Sequence, residues 1–284
     1  IFKKSKIQWG HLLQASVMVL LRKYNITEGL LAIDDSDKRR SKSTKKIAHV
    51  HKIKDKPSGG YIMGQSLVFM ILVTPKITIP VGFDFYMPDP ALKEWKKKIA
   101  CLKKNKVSGK RPAPPERDSN YPTIPNIALA LIGQFNKNFG HIRIRAILAD
   151  ALYGTKEFMD GAASIYPGTQ VISQIRSNQN IRLRGKRMSV ESYFAKHQGS
   201  PQKIVVRGQK EVSVMLGSAR LYVEAHSKKR FVIALKYEGE EEYRYIIASN
   251  LSWRTNDIVE AYTFRWLVEV FFQDWKGYEG FAAL

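Results

Sequence analysis

Near the end of the chain, a few polar side chains interrupt a run of apolar and aromatic ones. Four of them keep a helical spacing: Tyr262, Arg265, Glu269 and Lys276. At about 100° per residue these positions fall within an arc of about 60° on an α-helix. We therefore predict one long helix over 256–276, buried on most sides. Burying Glu269 and Arg265 costs several kcal/mol unless each is paired with an opposite charge or bound to a metal. The polar stripe therefore predicts a charged group or a metal ion beside these two residues.

Further carboxylates follow two predicted buried strands. The apolar run 30–33 ends in Asp34 and Asp35, and the run 144–149 ends in Asp150. Three carboxylates, from two strand ends and one helix, are the oxygen ligands that two Mg²⁺ ions need. In such sites the two ions lie about 3.5–4 Å apart. The chemistry of such a site is phosphoryl transfer, with one ion activating a water or a 3′-hydroxyl and the other stabilising the leaving oxygen.

Each of these signals also has a purely structural interpretation. A single Asp after a strand is more often a turn or cap residue than a metal ligand. Arg265 precedes Glu269 by four residues, the spacing of an ordinary helical ion pair. The three carboxylate segments together favour a metal site. His49 and His51 lie in a strongly basic stretch, where they are expected to contact solvent or DNA rather than a metal.

Alternating and apolar patterns predict the elements that must position these residues. Helices are predicted at 10–23, 124–138 and 155–165. A further helix is predicted to begin at 93, followed by an extended Pro-rich linker that ends at 117. Strands are predicted at 30–33, 64–74, 77–86, 144–150 and 170–175, with a charged loop over 38–56. Residues 203–248 alternate with period 2, which predicts an antiparallel β region.

Composition narrows the class of protein. The chain has 284 residues, of which 44% are hydrophobic, and 47 Lys+Arg against 25 Asp+Glu give a net charge of +22. Such a chain can build a core, and its charge favours a polyanionic partner, first of all nucleic acid. The single Cys101 excludes a disulfide scaffold and a Cys-rich zinc finger. The apolar run 66–73 is too short to span a membrane, and a signal-peptide pattern is absent. The opening Ile1 suggests a fragment.

Three segments resemble a known family. The last segment fits the pattern Y-x2-R-x3-E-x6-K without a gap, and LAIDDSDKRRSK at 31–42 and LADALYGT at 148–155 are similar to the two Asp segments of the same family. The sequence thus resembles DDE transposases of the prokaryotic insertion-sequence type, in particular the IS-four family with the YREK signature. The resemblance implies an α/β fold: an RNase H-like mixed-sheet core flanked by helices, with an inserted antiparallel β region before the last catalytic helix.

The resemblance also implies domain boundaries and a catalytic triad. Residues 1–29 would be the remnant of an N-terminal helical region, 30–175 and 253–284 the catalytic core, and 176–252 the β-rich insertion. The catalytic and metal-binding triad would be Asp35, Asp150 and Glu269. The family pattern selects Asp35 because it adjoins a hydroxyl residue, here Ser36, and Asp34 stays open as the alternative first ligand.

The implied activity is metal-dependent cleavage of DNA at element ends, followed by transfer of the 3′-hydroxyl into target DNA. The cofactor would be Mg²⁺, as two ions, with Mn²⁺ as a substitute. Three residues would contact DNA phosphates: Tyr262, Arg265 and Lys276. We expect a homodimer on DNA, in the cytoplasm with the nucleoid and away from membranes. Two alternatives stay open: an RNase H-like nuclease without strand transfer, and an inactive DNA-binding remnant, which the early end of the chain favours.

Overall fold

The computed structural model describes residues 8–40, 47–55, 58–105, 111–206 and 208–278, with side chains up to 275. The helices are α1 (Trp9–Lys23), α2 (Pro90–Lys104), α3 (Ile124–Phe139), α4 (Lys156–Ile165), α5 (Val190–Lys196), α6 (Thr255–Thr263) and α7 (Trp266–Tyr278). The strands are β1 (Glu28–Arg39), β2 (His51–Lys54), β3 (Tyr61–Val73), β4 (Thr78–Tyr86), β5 (Arg143–Ala149), β6 (Gln170–Gln174), β7 (Asn180–Leu183), β8 (Lys186–Ser189), β9 (Ser200–Val206), β10 (Lys210–Val223), β11 (Lys228–Tyr237) and β12 (Arg244–Ala248).

The chain divides into two compact units. The first unit contains residues 1–34, 69–82 and 129–284, and the second contains 35–68 and 83–128. In the first unit the strands lie in the order β3-β1-β5-β6-β12-β11-β10-β7-β8, with β4 beside β3 and β9 beside β10. In the second unit β2 pairs antiparallel with the first residues of β3.

The sheet of the first unit is mixed. Strands β1, β5 and β6 run parallel to one another, whereas β6, β12, β11 and β10 pair antiparallel in turn. Helix α4 packs against β6, and α6 packs against β5 and β6. This arrangement confirms the predicted fold class, a mixed sheet flanked by helices as in the RNase H-like DDE fold. The antiparallel region predicted over 203–248 is confirmed as β9 to β12.

The parallel strands form the buried centre of the first unit. Residues 31–33 of β1 and 146–149 of β5 are fully buried, which is typical of parallel strands covered on both faces. In β5 the change from buried to acidic residues marks the end of the strand, at Ala149. The strand end predicted at Asp34 is wrong, because β1 runs from Glu28 to Arg39 and Asp34 only follows its buried part. Among the described residues, none of the helices has the length and apolar character that a membrane crossing needs.

The prediction of one helix over 256–276 is wrong, because the chain forms α6 and α7 with a tight turn between them. The Thr263 hydroxyl donates to the Glu260 carbonyl at 2.6 Å. That carbonyl would otherwise accept the Phe264 amide in an α-helix, and Phe264 N–H donates to Ala261 O instead, at 3.1 Å. Arg265 continues the tighter pattern with a 3.0 Å bond to the Tyr262 carbonyl.

The charged loop predicted over 38–56 is also partly wrong. Strand β1 continues to Arg39, and β2 pairs with residues 61–64. Residues 41–46 and 56 lie outside the described part of the chain. In β2 the exposed Lys52 and Lys54 alternate with the buried His51 and the half-buried Ile53. Charged residues on an outermost strand discourage pairing with other chains, so a basic composition is compatible with a strand there.

Candidate active site

Asp34 and Asp150 follow paired positions on two adjacent parallel strands. The last aligned pair of β1 and β5 is Ile33 with Ala149, so Asp34 and Asp150 are the next residues of their chains. Neighbouring strands are about 4.8 Å apart, and successive side chains in a strand point to opposite faces. Asp34 is therefore level with Asp150, and Asp35 points to the other face. The division of the chain into two compact units falls between these residues: Asp34 belongs to the first unit, and Asp35 is the first residue of the second.

Arg265 joins Asp34 to the last helix. Its Nη1 lies 3.4 Å from Asp34 Oδ2, and its Nη2 lies 2.6 Å from Glu269 Oε1. The Arg265 and Asp34 side chains are 16% and 14% exposed, whereas that of Glu269 is 41% exposed. Burial by itself would lower the pKa of Arg265, but Tyr262, Glu269 and Asp34 outweigh it and raise that pKa. The guanidinium is thus a fixed positive charge between two carboxylates.

Tyr262 connects the same cluster to the end of β5. Its hydroxyl donates a long hydrogen bond of 3.4 Å to the carbonyl of Ala149, the residue before Asp150. The Cζ of Arg265 lies 5.8 Å from the centre of the Tyr262 ring, within the range of a cation–π contact. Burial raises the pKa of Tyr262 well above its usual range, so this hydroxyl stays protonated and acts as a donor.

The Asp150 backbone and one of its carboxylate oxygens are held in place locally. Oδ1 accepts from Leu152 N–H at 2.8 Å and caps a short 3-10 turn over Ala151–Tyr153. The Ser173 hydroxyl donates to the Asp150 carbonyl at 2.5 Å. Among the described residues, Asp150 Oδ2 has no hydrogen-bond partner. One oxygen of this carboxylate is therefore positioned by the fold and the other remains available to a ligand.

A buried network supports the loop that follows Asp150. His226 Nε2 lies 3.2 Å from the Gly154 carbonyl, and Arg230 Nε donates to His226 Nδ1 at 3.1 Å. Arg230 Nη2 in turn donates to Asp160 Oδ1 at 2.5 Å. His226 and Arg230 are each 2% exposed. Burial and the charge of Arg230 lower the pKa of His226 to about 4, so the ring is neutral, with its proton on Nε2 toward Gly154.

Sequence reasoning missed this network. The residues that form it are separated by about 70 positions along the chain, and of them only Gly154 lies in a segment that resembles the family. The only signal is that His226 and Arg230 lie four residues apart inside the alternating region. In a strand that spacing places two side chains on the same face but too far apart to bond. The hydrogen bond forms because residues 224–226 make a short 3-10 turn before β11, which the alternating pattern does not predict.

Gly154 is the position in this loop that tolerates a side chain least. A Cβ there would lie 2.1 Å from the Gln174 carbonyl oxygen, a backbone atom that cannot move aside. We expect Gly154→Ala to lower the free energy of unfolding by about 1–3 kcal/mol, measured by urea denaturation. Gly133→Ala in α3 is the matched control, because a Cβ there meets nothing within 4 Å. The control should gain up to about 1 kcal/mol from helix propensity; equal effects at both positions would contradict the crowding argument.

The carboxylates suit a hard divalent cation by donor chemistry, since such ions prefer carboxylate oxygens. Asp34, Asp150 and Glu269 supply these oxygens. In the part of the chain that the structure describes, however, no three Asp, Glu, His or Cys side chains are grouped closely enough to hold one ion. Arg265 lies between two of the three carboxylates. The donor set therefore fits a divalent cation, and binding one requires the guanidinium to release a carboxylate.

The structure brings most of the predicted stripe together. Tyr262, Arg265 and Glu269 lie on one side of the α6–α7 segment and meet Asp34 and the end of β5. The prediction for Lys276 falls in α7, where its side chain is outside the described residues. The choice of Asp35 as first ligand stays a prediction, and the carboxylate that contacts Arg265 is that of Asp34.

Residues 1–226 match the family described as DDE superfamily endonuclease. The match ends before α6 and α7, so Tyr262, Arg265 and Glu269 lie beyond it. Among solved structures the chain is similar to the NurA nuclease from Sulfolobus solfataricus, with 9% identity and a TM-score of 0.36. That similarity covers 89% of this chain and 82% of the other. No curated protein matches the chain.

Proposed function

From the premise that this chain belongs to the DDE superfamily endonuclease family, we propose that it is the catalytic domain of a transposase of the insertion-sequence type. It would cleave DNA at element ends with water and then join the freed 3′-hydroxyl to target DNA. The observation that carries the proposal is the meeting of Asp34, Glu269 and Arg265 beside Asp150, at neighbouring positions where the buried part of β1 and the strand β5 both end. A structural ion pair alone would not need carboxylates on three separate elements.

We propose Asp34, Asp150 and Glu269 as the ligands of the divalent cation, with Asp35 as the alternative to Asp34. Mg²⁺, or Mn²⁺ as a substitute, would supply Lewis acidity at the phosphate and lower the pKa of the attacking hydroxyl. Two ions are expected by analogy with other phosphoryl-transfer sites.

The chain's own residues position the DNA strand in this proposal. Arg265, once released from a carboxylate, presents a planar fork of donors that matches a phosphate group. Tyr262 keeps that fork beside the β5 end through its ring and its bond to Ala149. Lys276, about two turns beyond Glu269 in α7, is proposed as a further phosphate contact.

The decisive experiment separates strand transfer from simple hydrolysis. We expect the protein with Mg²⁺ to nick a labelled duplex carrying the cognate element ends, and to produce joined molecules when a supercoiled target is added. Gel analysis of the labelled strand distinguishes the two products. Nicks without joined products would contradict the transposase proposal and leave a hydrolytic nuclease. DNA binding without nicks would instead leave the inactive remnant.

The remaining features of the proposal concern organisation. We propose a homodimer assembled on DNA, in the cytoplasm with the nucleoid. The boundaries 1–29, 30–175 with 253–284, and 176–252 also stay proposals, because the two compact units divide the chain by internal contacts and not by function.

A further inference from the structure

Half of the net positive charge lies in the smaller unit. Residues 35–68 and 83–128 comprise 80 of the 284 residues and contain 19 Lys+Arg against 8 Asp+Glu, a net charge of 19 − 8 = +11. The other 204 residues contain 28 against 17, which is also +11. The second unit therefore carries more than twice the charge per residue, and none of the residues in the candidate ion cluster of Asp34, Arg265 and Glu269 belongs to it.

Helix α2 concentrates this charge on one face. Lys93, Lys96 and Lys97 are exposed and keep the spacing i, i+3, i+4, with Ala100 at i+7 on the same face. Within the described residues none of these three lysines forms an ion pair, and α2 contains no buried residue. Like charges at this spacing repel one another, so neither core packing nor local pairing accounts for the stripe.

An extended segment is held beside α2 and contributes Arg117 to a groove that these lysines also line. The Trp95 indole N–H donates to the Pro112 carbonyl at 2.9 Å, and Asp89, the N-cap of α2, accepts the Asp118 amide at 3.1 Å. The groove has a volume of about 330 Å³ and is lined by Tyr86, Pro88, Asp89, Leu92, Lys93, Lys96, Lys97, Ala100 and Arg117.

The acidic group in that lining does not neutralise the lysines. Asp89 is 3% exposed, and its oxygens accept backbone amides from Ala91, Leu92 and Asp118. Burial would raise the pKa of Asp89, but these amides and the charge of Arg117 outweigh it and lower the pKa. The carboxylate thus serves the helix start and the segment beside it, and the open side of the groove is lined by four cations.

We propose that the α2 groove, which Lys93, Lys96, Lys97 and Arg117 line, binds the phosphate backbone of duplex DNA through residues other than those of the candidate active site. The proposal rests on DNA being the partner of this chain and does not require that the chain cleaves it. Lysines act as point charges toward phosphates and read no base sequence, so the groove would hold DNA without sequence preference.

The test is the salt dependence of DNA binding, measured by fluorescence anisotropy in EDTA so that no cleavage occurs. Each neutralised phosphate contributes about 0.9 to the slope of log K against log salt for B-form DNA. We expect the triple variant Lys93→Gln, Lys96→Gln, Lys97→Gln to lose about 2 to 3 from that slope. A triple Lys→Arg variant at the same positions should keep the parental slope, because the charges remain.

The matched control removes the same three charges elsewhere. Lys137, Lys186 and Lys196 are exposed and lie on α3, β8 and α5, outside the groove. The slope of their triple Gln variant should differ from the parental slope by less than about 0.9, the contribution of one phosphate contact. Equal losses in both triple variants would overturn the groove and leave only a net-charge effect, and so would a parent that does not bind duplex DNA. If the slopes change as expected but the protein does not cleave DNA in Mg²⁺, the proposed function is contradicted and the groove proposal is not.

Discussion

Asp34→Asn is expected to remove metal-dependent DNA cleavage, with a loss greater than about 100-fold, and to cost more activity than Asp35→Asn. Changing a residue that only supports a metal ligand costs about 10–100-fold, so loss of a ligand exceeds that range. The reason for preferring Asp34 is geometric: it follows the aligned pair Ile33 and Ala149 and contacts Arg265, which also holds Glu269. Asp35 is the next residue of β1, so its side chain lies on the opposite face of the sheet.

The measurement compares the two variants in one assay. Initial rates of duplex nicking in Mg²⁺ are determined for the parent, Asp34→Asn and Asp35→Asn, with DNA binding in EDTA and thermal unfolding measured on the same samples. Normal binding and folding with lost cleavage in Asp34→Asn assigns the loss to the reaction itself. A larger loss in Asp35→Asn would restore the assignment that the family pattern implies and contradict the register argument.

The sequence predicted the parts of this site that depend on short-range periodicity. Arg265 and Glu269 are four residues apart, and that spacing brings their side chains together even though Arg265 lies in the turn between α6 and α7. The acidic positions Asp34 and Asp150 were predictable as the points where burial stops, because each follows a run that is apolar enough to be buried on both faces. The continuation of β1 to Arg39 was not predicted.

The choice between Asp34 and Asp35 could not come from local sequence. Both residues follow the same apolar run, and their side chains differ only in which face of β1 they occupy. Which of the two faces carries the site depends on the pairing of β1 with β5, whose residues lie more than 100 positions further along the chain. The break after Thr263 was missed for a different reason, since a threonine inside a helix bonds to a preceding carbonyl in some contexts and not in others.

The pH dependence of stability is expected to reveal the buried His226. Its pKa in the folded chain is about 4, because of burial and the nearby charge of Arg230, against the ordinary 6.5 in an unfolded chain. Between these values the unfolded chain binds a proton at this histidine and the folded chain does not. The free energy of unfolding therefore falls as the pH drops from 7 toward 4, by up to about 3 kcal/mol, and this contribution stops changing below about pH 4.

Asp160, on the far side of Arg230, affects a separate pH range. Burial would raise its pKa, but its bonds to Lys228 and Arg230 outweigh burial and lower the pKa below the ordinary 3.8. A depressed carboxyl pKa stabilises the fold above the ordinary value and loses that effect as the pH falls through the depressed one. Its contribution therefore changes mainly below pH 4, whereas that of His226 changes above it.

Urea denaturation of the parent, His226→Gln and His141→Gln at intervals from pH 4 to pH 7 checks this expectation. His141 is exposed and serves as the control for losing a histidine. The His226→Gln variant should show a fall in unfolding free energy that is smaller by up to about 3 kcal/mol over this range, and the control should follow the parent. If His226→Gln kept the parental pH dependence, the neutral ring between Gly154 and Arg230 would be wrong, and with it the account of how the loop after Asp150 is held.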